Sequence, residues 1–153
     1  MNEKIFVYGT LRLGMYNYDQ YLKDKNSFRQ FAYVKGKLMT LKGKNYPALL
    51  LEGSGMVRGV REAGYMHVVR GEIHEVDSKF IGVLDELESY FGENNTDNEY
   101  NKVFCDIYDD NNKVIDRIPV YVYNTGNNEN VQLLDKVIEC GDFFKYVTLN
   151  KHY

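Results

Sequence analysis

Val68-Val69-Arg70-Gly71-Glu72-Ile73-His74-Glu75-Val76-Asp77-Ser78-Lys79-Phe80-Ile81-Gly82-Val83-Leu84-Asp85-Glu86-Leu87-Glu88 reads first as a strand and then as a helix. The strand-like part begins at Tyr65 and runs to Val76, with a bend expected at Gly71. Ser78 is the expected cap of a short amphipathic helix that carries Glu88. At about 100° per residue, Ile81 and Leu84 share one side of that helix. Glu88 projects between them, roughly 20° from Ile81 and 40° from Leu84. Glu86 points away from the stripe and Asp85 lies at its edge. A carboxylate on an apolar stripe is expensive to bury. Burial would also raise its pKa toward the range where a carboxyl both takes and gives a proton near neutral pH. The competing reading is a carboxylate at a helix C-terminus that reaches water or pairs with Arg or Lys.

Outward from this stretch, strands dominate. Lys4 to Tyr8 is a β-rich run ended by Gly9-Thr10. Tyr16 to Lys25 reads as helical, with Tyr18, Tyr21 and Leu22 on its apolar side. Phe31 to Leu41 alternates around Gly36 as a strand. Tyr46-Pro47-Ala48-Leu49-Leu50-Leu51 is a further apolar run, with Pro47 suited to a strand entry or edge. Gly53, Gly55 and Gly59 mark a loop or tight hairpin. Gly92 to Glu99 is a polar loop. Tyr100 to Asp109 and Lys113 to Asn124 form a hairpin across Asp109-Asp110-Asn111-Asn112. A last helix is expected from near Asn130, with Val131, Leu134 and Ile138 at helical spacing. No repeat or linker divides the chain, so residues 1–153 read as one domain. Many strands, few helices and no regular βαβ alternation point to an α+β fold: a small mixed β-barrel with a few peripheral helices.

The chain has 153 residues, 22 acids and 19 bases. A formal charge near −3 gives no electrostatic footprint for nucleic acid or an anionic membrane. No apolar run approaches the ~20 residues of a membrane span. The start leads straight into a strand, leaving no room for a signal peptide. Cys105 and Cys140 match no metal or redox spacing and read as free thiols. The expectation is a soluble cytoplasmic protein with no nucleic-acid or membrane partner.

Few residues are placed for chemistry. Tyr8-Gly9-Thr10-Leu11 ends a strand at a sharp turn, where successive N–H groups can converge on an anion or carbonyl oxygen. Glu88 is the second candidate. Tyr100, which opens a strand after the polar loop, and Tyr121 and Tyr123, which share a strand face, form the third; buried sheet aromatics are the competing reading. His67 and His74 lack a third ligand at metal spacing, so no metal site is expected. Glu72 and His74 share a strand face and read as exposed positions on an outer strand. Gly9 to Gly14 lacks the Gly-Lys-Ser/Thr ending of a phosphate loop. No Ser or Cys lies in a nucleophile context.

Taken in order, these pieces resemble the γ-glutamylcyclotransferase-like family, which includes the AIG2-like proteins and γ-glutamylamine cyclotransferases. Phe6-Val7-Tyr8-Gly9-Thr10-Leu11 with Arg12 and Gly14 looks like its opening strand and loop. Val34-x-Gly36-x-Leu38 and Tyr46-Pro47-Ala48 are similar to its second block. Val69-x-Gly71-Glu72-Ile73-x-x-Val76, followed by Leu84-Asp85-x-x-Glu88-x-Tyr90, is the most specific block. Tyr100 and then Val120-Tyr121-Val122-Tyr123 complete the series. The match spans about residues 4 to 124. The chain departs from the family in a longer Ser89–Glu99 loop and in Met15-Tyr16-Asn17, both where a leaving group would sit.

The resemblance implies a γ-glutamyl small-molecule substrate bound in the barrel mouth. Backbone N–H groups of Tyr8, Gly9, Thr10 and Leu11 would hold its α-carboxylate or nearby oxygens. Tyr100 and Tyr121 or Tyr123 would shape the pocket. Glu88 would act as general base and then acid while the α-amine closes on the γ-carbonyl, releasing 5-oxoproline. No cofactor is required. The leaving group could be an amino acid, an isopeptide amine or a protected biosynthetic intermediate. Two other readings stay open: a non-catalytic module that senses a γ-glutamyl metabolite or 5-oxoproline, and an interaction protein that keeps only the fold. Oligomeric state is not legible.

Overall fold

The computed structural model describes residues 2–23, 26–51 and 67–149. Among the described residues seven strands carry the fold: β1 (Asn2–Val7), β2 (Asn26–Leu41), β3 (Ala48–Leu51), β4 (Val68–Asp77), β5 (Tyr100–Tyr108), β6 (Val114–Tyr123) and β7 (Leu134–Val137). Among the same residues three short α-helices lie outside the sheet: α1 (Ile81–Leu87), α2 (Asn128–Leu133) and α3 (Phe143–Leu149). The sheet runs β2-β4-β1-β6-β5 and closes where β5 pairs back onto β2 at Tyr33 and Tyr108. Every neighbour pair is antiparallel except β1 with β6, which meet in parallel at Phe6 and Val120. The result is a five-stranded mixed barrel, with β3 and β7 added along the far half of the long strand β2. Closure removes the exposed sheet edges that a flat five-stranded sheet would carry.

Alternation along the strands sorts the core into two layers. Phe6, Val120 and Val122 pack with Val34, Val69, Ile73 and Ile107. Ile5, Val7, Tyr121 and Tyr123 face the other way and pack with Leu11, Leu50, Leu84 and Tyr100. The second layer seats α1, since Leu84 is fully buried within it. Gly71 is needed because Phe6 crosses directly over it. A Cβ there would run into the Phe6 ring and the Val7 carbonyl oxygen. The pairing of β4 with β2 passes Gly71 in regular register, so no bulge marks the residue, and close packing explains it.

Several local expectations shift. The first helical stretch is shorter and ends in a π-helical turn at Tyr18–Leu22, and β2 already begins at Asn26. The glycine-punctuated segment with Gly53, Gly55 and Gly59 lies outside the described residues, as does His152. Asp77, not Ser78, caps the helical segment: its Oδ1 accepts from the Lys79 N–H at 3.0 Å. The helix expected from Asn130 through Ile138 stops at Leu133. Its remainder becomes β7, because β2 offers an edge at Met39 and Leu41 that backbone pairing can use. The Ile138 N–H then donates to the Leu38 carbonyl. Helical periodicity here is overridden by a tertiary partner.

Glu72 and His74, expected on an exposed face, are 1% and 0% accessible. The loop after β1, with Arg12 and Leu13, and the rings of Tyr18 and Phe28 cover that side of β4. Glu72 Oε1 accepts from the Leu13 N–H at 2.8 Å and lies 2.8 Å from His74 Nε2. Its Oε2 accepts from Arg12 Nε at 3.1 Å. Arg12 also donates to Asp142 Oδ1, at 2.8 Å, at the start of α3. Burial pushes the Glu72 carboxyl up, but the hydrogen bonds from His74, Leu13 and Arg12 outweigh it and leave it below its ordinary value. The network ties the loop after β1 to the barrel wall and to the C-terminal helix.

Candidate active site

The turn that follows β1 is one wall of a cavity of about 290 Å³. Tyr8, Gly9, Thr10 and Leu11 line it. The chain bends there through the Arg12 N–H, which donates to the Gly9 carbonyl at 3.1 Å. Thr10 gives its carbonyl to the Tyr18 N–H and its hydroxyl oxygen to Asn17 Nδ2. Among the described residues, the N–H groups of Gly9, Thr10 and Leu11 have no protein acceptor. Three successive unpaired N–H groups at a cavity wall are a ready anion or oxyanion seat. Gly9 packs closely against the opposite wall: a Cβ there would sit 3.0 Å from the Pro47 ring, which would have to give by a few tenths of an ångström.

Glu88 lines the same cavity. It is the residue that ends α1, half-buried, with its N–H donating to the Leu84 carbonyl at 3.0 Å. Its direction is fixed by the way the helix stops. Ser89 takes a left-handed conformation (φ 51°). The Ser89 N–H donates to Glu86 and the Tyr90 N–H to Asp85, the paired closing bonds of a Schellman motif. Burial, and then the nearby Glu99 carboxylate, raise the Glu88 pKa from 4.5 to about 8. Among the described residues no donor or cation offsets that rise. A carboxyl with this pKa exchanges its proton close to neutral pH.

The phenols divide. Tyr8 is buried and donates to the Tyr121 carbonyl at 2.5 Å. Tyr100 donates to the Pro47 carbonyl at 2.5 Å and so pins the β3 side of the cavity. Tyr121 lines the cavity and donates its hydroxyl to Asp85 Oδ1 at 2.6 Å. Burial first, then the hydrogen bond to Asp85, push its pKa far above the ordinary phenol range. Tyr123 is not a lining residue. It packs edge-on against Tyr100, centroids 5.4 Å apart, and donates to the Asn130 carbonyl. The face shared by Tyr121 and Tyr123 is real, but only Tyr121 reaches the cavity.

Sequence reasoning missed two groups. Glu99 lines the cavity and accepts from Tyr46 Oη at 2.6 Å. In the sequence it reads only as the end of a polar loop. The signal that could have exposed it is its position directly before Tyr100. Asp85, set at the edge of the helical stripe, is neutralised by Lys102 at 2.8 Å while it holds the Tyr121 hydroxyl. No cluster of His, Cys, Asp or Glu among the described residues could hold a metal ion. No helix of the described residues is long and apolar enough to cross a membrane.

With this geometry in hand, comparison with known proteins is specific. The family model described as gamma-glutamyl cyclotransferase, AIG2-like, matches residues 5–145. The chain is 35% identical over 103 residues to the Niallia circulans gamma-L-glutamyl-butirosin B gamma-glutamyl cyclotransferase, covering 67% of this chain and 56% of that protein. It is 34% identical over 85 residues to the Bos taurus gamma-glutamylaminecyclotransferase, covering 56% of this chain and 48% of that protein. The chain thus spans about half the length of these curated relatives. The crystal structure of an AIG2-like protein from Mus musculus shares the fold, with a TM-score of 0.58 at 24% identity, over 88% of this chain and 85% of that one.

Proposed function

The chain belongs to the AIG2-like gamma-glutamyl cyclotransferase family, and from that premise we propose that it is a γ-glutamyl cyclotransferase-type enzyme with Glu88 as its proton carrier. The observation that carries the reading is one cavity with the Glu88 carboxyl on one side and the unpaired N–H row of Gly9 to Leu11 on another.

The N–H row receives the α-carboxylate of a γ-glutamyl amide. Ionised Glu88 takes one proton from the substrate α-ammonium. The freed amine nitrogen attacks the γ-carbonyl carbon, and a five-membered ring closes. The amide C–N bond then breaks as the leaving nitrogen takes the proton from Glu88, and the ring nitrogen, which still carries two hydrogens, passes its extra proton by way of the re-ionised Glu88 to the released amine. 5-Oxoproline and a free amine depart, and Glu88 is ionised again. The reaction is intramolecular, so holding the amine against the carbonyl can supply on the order of 7–11 kcal/mol of the barrier. The proton carrier adds roughly two to four powers of ten. Tyr8, Tyr100 and Tyr121 keep the walls in place, since each spends its hydroxyl on a protein acceptor. Tyr123 supports Tyr100 from behind.

The test is release of 5-oxoproline from a panel of γ-glutamyl amides. The expected result is product from the wild type and a loss of about 10²–10⁴ in kcat for Glu88→Gln. Saturable binding without ring closure by any panel member would replace the enzyme with a sensor. Undiminished turnover by Glu88→Gln would remove Glu88 from the mechanism.

A further inference from the structure

Building on the cyclotransferase reading, we propose that Glu72, Arg12 and Asp142 are positioning residues that together hold the N–H row of Gly9 to Leu11 in shape to receive a carboxylate. None of the three lines the cavity. Glu72 grips the turn from both of its ends. Before the row, its backbone faces Val7, the last residue of β1, in the antiparallel register of β1 with β4. After the row, its carboxylate accepts from the Leu13 N–H at 2.8 Å and from Arg12 Nε at 3.1 Å. One residue of the barrel wall therefore brackets the chain from Tyr8 to Arg12.

Arg12 carries the brace outward and donates to Asp142 Oδ1 at 2.8 Å. The same oxygen accepts from the Lys145 N–H, so Asp142 also caps the first turn of α3. Phe144 of that helix lies over Gly14, where a Cβ would come within 2.9 Å of its ring. The C-terminal helix thus bears on the loop at two points. The brace has a physical purpose. Neighbouring N–H dipoles aimed into one space repel one another, and a turn free to move would aim them at water instead. A seat that must reorganise when its anion arrives gives up part of its affinity. The two carboxylates are matched by two guanidiniums, Arg12 and Arg70, whose Nε lies 3.9 Å from Asp142 Oδ2. The hold on the row is therefore geometric.

5-Oxoproline and 2-pyrrolidone are the same ring with and without a carboxylate, so the pair isolates the seat. Each is titrated into wild type, Asp142→Ser and Asp142→Asn while the backbone amide signals are followed by NMR. Both substitutions keep a cap for α3. Ser is too short to reach Arg12, whereas Asn retains an acceptor for it. In the wild type, 5-oxoproline is expected to shift the Gly9, Thr10 and Leu11 signals. It should also bind at least about tenfold more tightly than 2-pyrrolidone, as hydrogen bonds to a charged acceptor give. Asp142→Ser is expected to cut that ratio to about threefold or less, and Asp142→Asn to keep it within about twofold of wild type. A merely structural role would lower the Tm of Asp142→Ser and leave the ratio in place, and that result overturns the proposal. Loss of the ratio in Asp142→Asn as well overturns it, since charge and not geometry would then hold the row. Row signals that stay unmoved by 5-oxoproline up to its solubility limit overturn it too. Glu72→Gln is the second variant: Gln offers one acceptor oxygen to Leu13 and Arg12 together, and a soluble Glu72→Gln with the wild-type ratio also refutes the brace. An Asp142-dependent ratio in a protein that releases no 5-oxoproline from γ-glutamyl amides overturns the cyclotransferase reading alone.

Discussion

Replacing Glu88 by Gln should make the protein more stable, and increasingly so as pH rises. The Glu88 carboxyl titrates at an ordinary 4.5 in the unfolded chain and at about 8 when folded. Between those values the unfolded chain has lost a proton that the folded chain keeps. Folding therefore takes up a proton, and stability falls with pH by up to about 1.4 kcal/mol per pH unit. The contribution is whole below the unfolded value, is lost progressively, and is exhausted above about pH 8. The full span corresponds to roughly 5 kcal/mol, and we expect about 3–5, because Glu88 is half-buried and part of the burial penalty is relieved at the cavity. Urea unfolding of wild type and Glu88→Gln at pH 5, 6.5, 8 and 9 checks it. The other titrating groups are common to the two proteins and cancel in the difference, apart from Glu99, which feels the Glu88 charge. The wild-type curve should fall away from the variant between pH 5 and 8 and then run parallel. Curves that stay parallel throughout would mean that Glu88 is not held in a desolvated site, and the proton-carrier argument would fail with it. The same titration sets the rising limb of kcat/KM, which reports groups of the free enzyme; in the wild type that limb should centre near pH 8.

Other consequences are local. Ser89→Gly should stabilise the fold by about 0.5–1 kcal/mol in thermal unfolding, because Ser89 holds the left-handed position that closes α1. Gly71→Ala should destabilise by about 3 kcal/mol or more, seen as a fall in the urea midpoint or in soluble yield, since its Cβ meets Phe6 and the Val7 carbonyl. Arg12→Met should cost about 3–5 kcal/mol by stranding Glu72, and Arg12→Met/Glu72→Gln should recover much of that loss. Burial pushes the Cys105 thiol up to about 11, so Cys140, which is exposed, should alkylate first in mass-spectrometric labelling of the native protein.

Local periodicity decided a great deal about this protein. The placement of Glu88 between Ile81 and Leu84, the strand-then-helix stretch that delivers it, the hairpin from Tyr100 and the shared face of Tyr121 and Tyr123 are all intrachain patterns. Such patterns depend on residues a few positions apart, so a one-dimensional reading captures them. Tertiary structure alone folded the loop after β1 over the outer face of β4, and so turned Glu72 and His74 from surface residues into a buried network with Arg12. It drew Leu134–Val137 out of a helix because β2 had an edge to offer. It also brought Glu99 and Tyr46 to the cavity that holds Glu88, although Tyr46 is far from both along the chain. Burial and proton affinity are set by neighbours in space, and no local sequence pattern specifies who those neighbours are.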